Sequence, residues 1–540
     1  MKRSLGIRPL LIVTLAITSL LAAGILLPAV TANPLIAQTS SYSTYFGGSE
    51  GEDATKVAFD NDGNTILIGQ TPSDDFPITT GSLQDTYGGG DWDGFVAKFS
   101  PAGELLYSSY LGGTGYEHVT SVNIDSGNNI VLTGTTGSSN FPTTPDALDL
   151  TFGGATDGFI MKIAPNGTLL YSSFFGGTGN DWIYGIQFDA SENYMFSGWT
   201  DSTGLGTTGA LHQNPIGGTD GFIARVSSNG ATLQMFSYLG GTGNDRIYVM
   251  DIDSEYNYVL GGITASSNYE VTGGAFQTTS TADGDAVLTK INHDGNTLLY
   301  STYLGGNDDD LGLTVIVDST DSMIISGYTQ SDDLAVLNAQ QAIFGGGGAD
   351  IFVAKFNETG SLQFLTYLGG TGTDYCWDMV TDSSDNIIVC GRTSSYNYPA
   401  HDGLNDTHSG SYDAVATKYA PDGQTIIASS YVGGSSADIG EGVAVDGDGN
   451  VVISGRTASS DFPVTSGAYQ TEKADSTDVF VCHIAFSGLP TTTTTSNTTT
   501  TTTTTTSSDA GLPIDPTSLL LIGAGSAAVV IVIVIVLKRK

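Results

Sequence analysis

A Gly-Gly pair recurs at positions 47, 112, 176, 240, 305, 369 and 433, at intervals of 65, 64, 64, 65, 64 and 64 residues. Seven copies of one unit constrain the fold before any other feature does, because whatever structure the unit takes must be repeated and stacked. Four places after the second Gly every copy carries an acid: Glu52, Glu117, Asp181, Asp245, Asp310, Asp374 and Asp438. Twelve places after it every copy carries Asp, at 60, 125, 189, 253, 318, 382 and 446. A Thr (Thr71 to Thr457) and an Asp opening the segment DGFVAKF (Asp93, Asp157, Asp220, Asp285, Asp350, Asp413, Asp478) complete the frame.

Each unit holds four runs of strand character, in the first copy KVAFD, NTILIGQ, GFVAKFS and ELLYSSYLGG. The clusters between the first and second runs and between the third and fourth are Asp, Asn, Gly and Pro turns of hairpin length. A four-stranded antiparallel sheet is too small to bury its faces alone, so seven of them predict radial stacking into a propeller. The strands then have neighbours on both faces, which accounts for Val, Ile, Phe and Ala on both parities. After the seventh Gly-Gly only three strands remain, the last being Asp478 to Phe486, while YSTYF at Tyr42 to Phe46 precedes the first complete unit. The N-terminal strand is therefore expected to complete the last blade and to close the ring.

The fold class that follows is all-β: a seven-bladed β-propeller of four-stranded antiparallel blades, closed by the N-terminal strand, with one C-terminal transmembrane helix. From about Ser41 to Phe486 the chain resembles the SBBP repeats of bacterial and archaeal seven-bladed propellers, through LLYSTYLGG, VDGDGNVVISGRT, SSDFPVTSGAYQ and DGFVAKF. Copies four and five depart in the DFP segment, as Asn268, Tyr269, Glu270 and Asp333, Leu334, Ala335. The resemblance implies a fold and a surface or secreted setting; it names no activity.

The two ends set the expected topology. Residues 1–32 open with Lys2, Arg3 and Arg8, continue through the apolar run Leu10 to Leu27 and end in small residues, as a secretory signal peptide does. An uncleaved anchor is the alternative, since about 18 apolar residues approach a span. Residues 33–488 form the ectodomain, and 489–516 a stalk of Thr and Ser that suits O-glycans. Within 517–537, Leu519 to Leu537 would make a helix of about 28 Å, followed by the cytoplasmic tail 538–540 with Lys538, Arg539 and Lys540. The expectation is a single-pass protein of the cell membrane with an extracellular, monomeric propeller.

Between these ends lie 11 basic and 56 acidic residues, a net −45, within a whole-chain charge of −39. Such a surface repels nucleic acid and anionic lipid. Six of the 11 cations occupy one repeat position, Lys98, Lys162, Arg225, Lys290, Lys355 and Lys418, with His483 in the seventh copy. So regular a set is expected to pair with a carboxylate or turn carbonyls while the stems pack between blades.

Functional candidates are of three kinds. The seven acids after the Gly-Gly pairs could form a calcium site at the channel mouth, or cap the N–H groups of their own turns. Trp182, Tyr184, Tyr248 and Trp377 break the sevenfold pattern near the long-loop face, as ligand-stacking aromatics would, blade packing being the other reading. Sequons stand at Asn166, Asn357, Asn405 and Asn497. Cys376 and Cys390 lie on neighbouring strands at roughly opposing positions, which leaves a disulfide open. No catalytic motif appears, and the six histidines are scattered among copies. The expected function is non-enzymatic recognition of an extracellular glycan or protein by the face carrying the long loops. The alternatives are a propeller hydrolase or lyase acting on extracellular polysaccharide, using two carboxylates in one asymmetric pocket, and a purely structural coat component.

Overall fold

The computed structural model describes residues 42–447, 449–474, 476–484 and 486, and all the helix or strand elements among them are strands. The expected leader, stalk, transmembrane helix and tail, and Asn497, lie outside the described residues.

Blade 1 shows how the repeat folds. β2 (Asp53–Phe59), β3 (Thr65–Thr71), β4 (Asp93–Phe99) and β5 (Leu105–Leu111) form one sheet in chain order, each antiparallel to the next. At the β2–β3 turn, Asp60 Oδ1 accepts hydrogen bonds from the backbone N–H groups of Asp62 and Asn64, both at 2.9 Å. Lys98 on β4 brings its Nζ within 2.5 Å of Asp60 Oδ2. The pair returns as Lys162–Asp125, Lys290–Asp253, Lys355–Asp318 and Lys418–Asp382, at 2.5, 2.8, 2.7 and 2.8 Å. Two features that stand far apart in the repeat are thus partners that pin the turn to the third strand. In blade 3 Arg225 donates to the His293 carbonyl at 2.6 Å, and His293 reaches Asp189 at 3.1 Å.

Seven apolar cores occur among the described residues, and each is filled from two neighbouring blades. Between blades 1 and 2, for example, Ile66, Ile68, Val96 and Leu111 meet Val119, Leu132, Phe159 and Met161. All seven residues of β3 and all seven of β4 are buried as a result. Burying a Val, Leu, Ile or Phe contributes roughly 1.5–3 kcal/mol, so the interfaces between blades, more than the blades, stabilise the ring. Where copies four and five lose the Phe of the DFP segment, Tyr269 and Leu334 are buried at the same repeat position. The Tyr269 hydroxyl is matched by Thr289 Oγ1 at 3.1 Å.

The last blade contains β26 (Asp438–Val445), β27 (Val451–Thr457) and β28 (Asp478–Ile484), and β1 (Ser43–Phe46) supplies its outermost strand. Ser43 pairs with Cys482 and Phe46 with Val479. Phe46 and Tyr42 then enter the core shared with Phe95 and Phe99 of blade 1. The ring is closed as the missing fourth strand required.

The disulfide left open by the sequence is not formed: Cys376, Cys390 and Cys482 are free and buried. A bulge between Cys376 and Asp378 slips the register, so that Cys376 faces Gly391 and Cys390 faces Asp378. One thiol joins the core toward blade 5 and the other the core toward blade 7. They occupy opposite faces of one sheet.

Candidate ligand site at the channel mouth

The first strands of successive blades lie beside one another around a central channel. Every one of them carries a bulge near its start, leaving Thr55, Thr120, Tyr184, Tyr248, Leu313, Trp377 and Glu441 outside the ladder. The cause lies on the second strand, where a Gly stands two residues before the invariant Thr. A Cβ on Gly198 would meet the Trp182 carbonyl oxygen at 1.8 Å, and one on Gly391 would meet that of Tyr375 at the same distance. Only Gly lets the bulged backbone approach so closely.

Beside each bulge stands a cross-strand pair that differs from blade to blade: Asp53/Gln70, His118/Thr135, Trp182/Trp199, Arg246/Ile263, Leu311/Tyr328, Tyr375/Arg392 and Ile439/Arg456. The frame is sevenfold, while the side chains it presents at the mouth are not.

On one arc these side chains are aromatic. His118 meets the Trp182 ring at 5.8 Å; Trp182 stacks on Trp199 at 5.5 Å and on Tyr184 at 5.9 Å, both at 15°. Tyr184 meets Tyr248 edge-on at 5.3 Å. Farther round, Tyr328 lies 4.3 Å from Tyr375, which lies 6.4 Å from Trp377. Burial, then the nearby hydroxyl of Tyr375, raises the Tyr328 pKa. Of the four aromatic residues singled out by sequence, Trp182, Tyr184 and Tyr248 thus form one chain of contacts, while Trp377 belongs to a second run with Tyr375 and Tyr328.

Cations are set into this arc. The Arg246 guanidinium lies 5.1 Å over Trp199, and that of Arg392 lies between Tyr375 at 4.7 Å and Tyr412 at 4.6 Å. The facing arc, from blades 7 and 1, is polar. Arg456 donates to Asp53 at 3.0 Å and stands 3.6 Å from Glu441. Burial pushes the Glu441 carboxyl well above the usual carboxylate range, with the charge of Asp53 adding and Arg456 opposing. Asp53 and Arg456 help line a cavity of about 210 Å³ beside Trp92 and Ile439. Lys56 of blade 1 pairs with Asp378 of blade 6, tying non-adjacent blades together.

The seven acids that follow the Gly-Gly pairs are almost fully buried and act within their own turns. Asp245 accepts from Gly241 N–H at 2.7 Å and from the Ser266 hydroxyl at 2.8 Å, and is also bonded by Thr264. Glu117, Asp181, Asp374 and Asp438 repeat the backbone bond, as does Asp310, at 2.8–3.0 Å. Glu52 is bonded by Thr71 and Ser73. Each turn also brings in the third-strand Asp: Asp93 Cγ and Glu117 Oε2 both stand 2.6 Å from where a Cβ on Gly112 would lie. The first Gly of six of the seven pairs, all but Gly176, is therefore wedged between two buried carboxyls. Burial raises Glu52 and Asp93 to about 7, and Asp310 and Asp438 to about 6. Among the described residues no three His, Cys, Asp or Glu side chains converge as a metal cage.

Of the sequons, Asn166 is exposed and Asn357 half-buried, each in the hairpin between its blade's third and fourth strands, while Asn405 lies half-buried in a long second-to-third loop. Sequence reasoning missed Trp199, Arg246, Tyr328, Tyr375, Arg392 and Arg456. The available signals were the residue between the repeated Gly and Thr and the residue directly after the repeated acid, both of which change in character from copy to copy.

The SBBP β-propeller repeat model matches residues 363–399 and 429–463, each running from a fourth strand through Gly-Gly to the start of the next long loop. The regulatory protein FlaEY of Caulobacter vibrioides is 23% identical over 346 residues, covering 59% of this chain and 34% of that protein. An uncharacterized WD repeat-containing protein of Acanthamoeba polyphaga mimivirus is 22% identical over 450 residues, covering 74% and 30%. The chain thus spans about a third of the length of these curated relatives. Among solved structures, the WD40 β-propeller domain of Doa1 aligns over 82% of this chain and 96% of its own, with a TM-score of 0.41 and 11% identity. The repeat match and the closed ring agree: the chain is a seven-bladed β-propeller, two stretches of which match the SBBP β-propeller repeat.

Proposed function

We propose that the protein is a non-catalytic recognition propeller, displayed at the cell surface, which binds an extracellular glycan or protein ligand at the loop-face mouth of its channel. The observation that carries this reading is the two runs of half-buried rings at the mouth, Trp182 with Trp199, Tyr184 and Tyr248, and Tyr328 with Tyr375 and Trp377, set asymmetrically on a sevenfold frame. The repeated core residues fill every interface between blades, and these rings add to that packing at three of the seven while remaining partly exposed. The cavity of about 210 Å³ falls below the roughly 300–1,000 Å³ of enclosed small-molecule sites, which suits a shallow contact surface. Surface display rests on the leader and the apolar C-terminal run in the sequence.

The test is an array of glycans and cell-surface proteins probed with fragment 33–489, which contains the whole closed ring, with and without chelator. Binding that is lost in Trp182→Ala and Tyr248→Ala, and unaffected by chelator, supports the reading. Retention of all binding in both variants overturns it.

A polysaccharide hydrolase or lyase has one observation in its favour. Asp53 and Glu441 flank Arg456 beside the cavity, and Glu441 holds its proton above the usual range. Release of new chain ends from polysaccharide by the wild type, abolished in Glu441→Gln, would establish that reading instead.

A further inference from the structure

Basic residues are scarce in this chain, and their placement is informative. Of the 11 between positions 33 and 489, six hold the repeated third-strand position. Four of the other five, Lys56, Arg246, Arg392 and Arg456, stand at the channel mouth on first or second strands, leaving only Lys473 elsewhere. Lys56 and Arg456 are paired with Asp378 and Asp53. Arg246 and Arg392 differ, since among the described residues neither has a carboxylate within 4.0 Å, although the region between the two ends carries 56 acids. Both lie against rings instead.

The geometry of Arg392 restricts what it can bind. Tyr375 and Tyr412 both lie against its guanidinium, at 4.7 and 4.6 Å, which leaves the N–H edge as the part to meet a ligand. Its Nε is buried without an acceptor, as are Arg246 Nε and Trp377 Nε1. Donors without acceptors, held among aromatic rings, call for a ligand that brings planar oxygen acceptors. A guanidinium edge matches a carboxylate through two parallel hydrogen bonds. Trp182, Trp199 and Tyr184, half-buried at the same mouth beside Arg246, add aromatic surface that the C–H face of a pyranose ring can meet.

Resting on the reading of the mouth as a binding site, we propose that its ligand is an acidic glycan. Its sugar rings meet the half-buried aromatic rings of the mouth, and carboxylates spaced along its chain are held by Arg392 of blade 6 and Arg246 of blade 4.

The test is calorimetric titration of fragment 33–489 with hexamers of galacturonate, glucuronate and mixed mannuronate–guluronate, their methyl esters, neutral hexasaccharides and a hexa-aspartate peptide. One acid hexamer is expected to bind. Esterification, which removes the charge and keeps the ring, should weaken it at least tenfold, and Arg392→Gln should do the same while Lys473→Gln leaves it unchanged. The ester comparison uses the wild-type fold, so a variant that fails to fold leaves it standing. Equal binding of ester and acid, failure of every acid hexamer, or hexa-aspartate binding as tightly as the sugar overturns the proposal. Neutral sugars binding in a Trp182-dependent manner would overturn it while leaving recognition at the mouth intact; if nothing on the array binds either, both readings fall.

Discussion

Tyr45 Oη donates to the carbonyl of Ser459 at 2.8 Å and accepts from the N–H of Phe462 at 3.0 Å, joining the first described strand to the last long loop. The same bonds recur within a single unit as Tyr110 with Ser73 and Phe76, and Tyr303 with Ser266 and Tyr269. Only at Tyr45 does the contact bridge the two ends of the ring. Tyr45→Phe strands a buried carbonyl and a buried N–H and is expected to cost about 1–3 kcal/mol, read as a lower urea midpoint. Deleting residues 42–46 bares the edge of β28, and size-exclusion chromatography should then show association through that edge.

Acidity should stabilise the ring over part of its range. Burial holds Glu52 and Asp93 to about 7, and Asp310 and Asp438 to about 6, so the folded chain keeps protons that the unfolded chain releases above 3.8 to 4.5. The stability these groups give is complete below the unfolded values and is lost as pH rises through 6 to 7. Asp60 and Asp253 act in the opposite sense. Burial alone would raise them, but Lys98 with Asn64, and Lys290 with Asn257, hold them below 3.8. Their contribution disappears as pH falls through those lower values. Scanning calorimetry should find a higher melting temperature at pH 5 than at pH 8, and a fall once the pH drops below 3.8.

Lys290 pairs with Asp253 at 2.8 Å, and both side chains are almost wholly buried. Replacing Lys290 with Met keeps the apolar stem and leaves Asp253 without its cation. A loss of about 3 kcal/mol is expected by chemical denaturation, against less than about 0.5 kcal/mol for Lys473→Met at the surface.

The three cysteines are reduced and buried. Burial pushes the thiols of Cys376 and Cys482 up to about 12, so reaction with a thiol reagent at pH 8 should be negligible in the folded protein. In denaturant without reductant all three should react. Finding one reactive thiol there would contradict the register across the blade 6 bulge.

The ring was legible because its period is carried by residues that turns cannot do without, and because a missing fourth strand at one end matched a spare one at the other. The pairing of Lys98 with a carboxylate was legible in kind for the same reason. The mouth was legible only in part. Trp182, Tyr184, Tyr248 and Trp377 stand out as departures from a repeat, but their partners Trp199, Tyr328 and Arg392 come from the second strand, where side-chain direction depends on a bulge. A bulge leaves no alternation to read, only a Gly whose purpose appears once the Trp182 carbonyl is seen against it. The open question of Cys376 and Cys390 was settled by that same one-residue slip.

The clasp between β1 and β28 also has a mechanical character. Because the two strands are antiparallel, the chain enters at Ser43 and departs beyond Ile484 on one side of the sheet, next to the Ser43–Cys482 pair. Tension drawn between those two flanks would peel the four residue pairs one after another, as a zip opens, and would not load them together in shear. Such a fastening yields to a modest pull on both flanks, whereas a pull on one flank alone, opposed at the ligand face, leaves it unstressed.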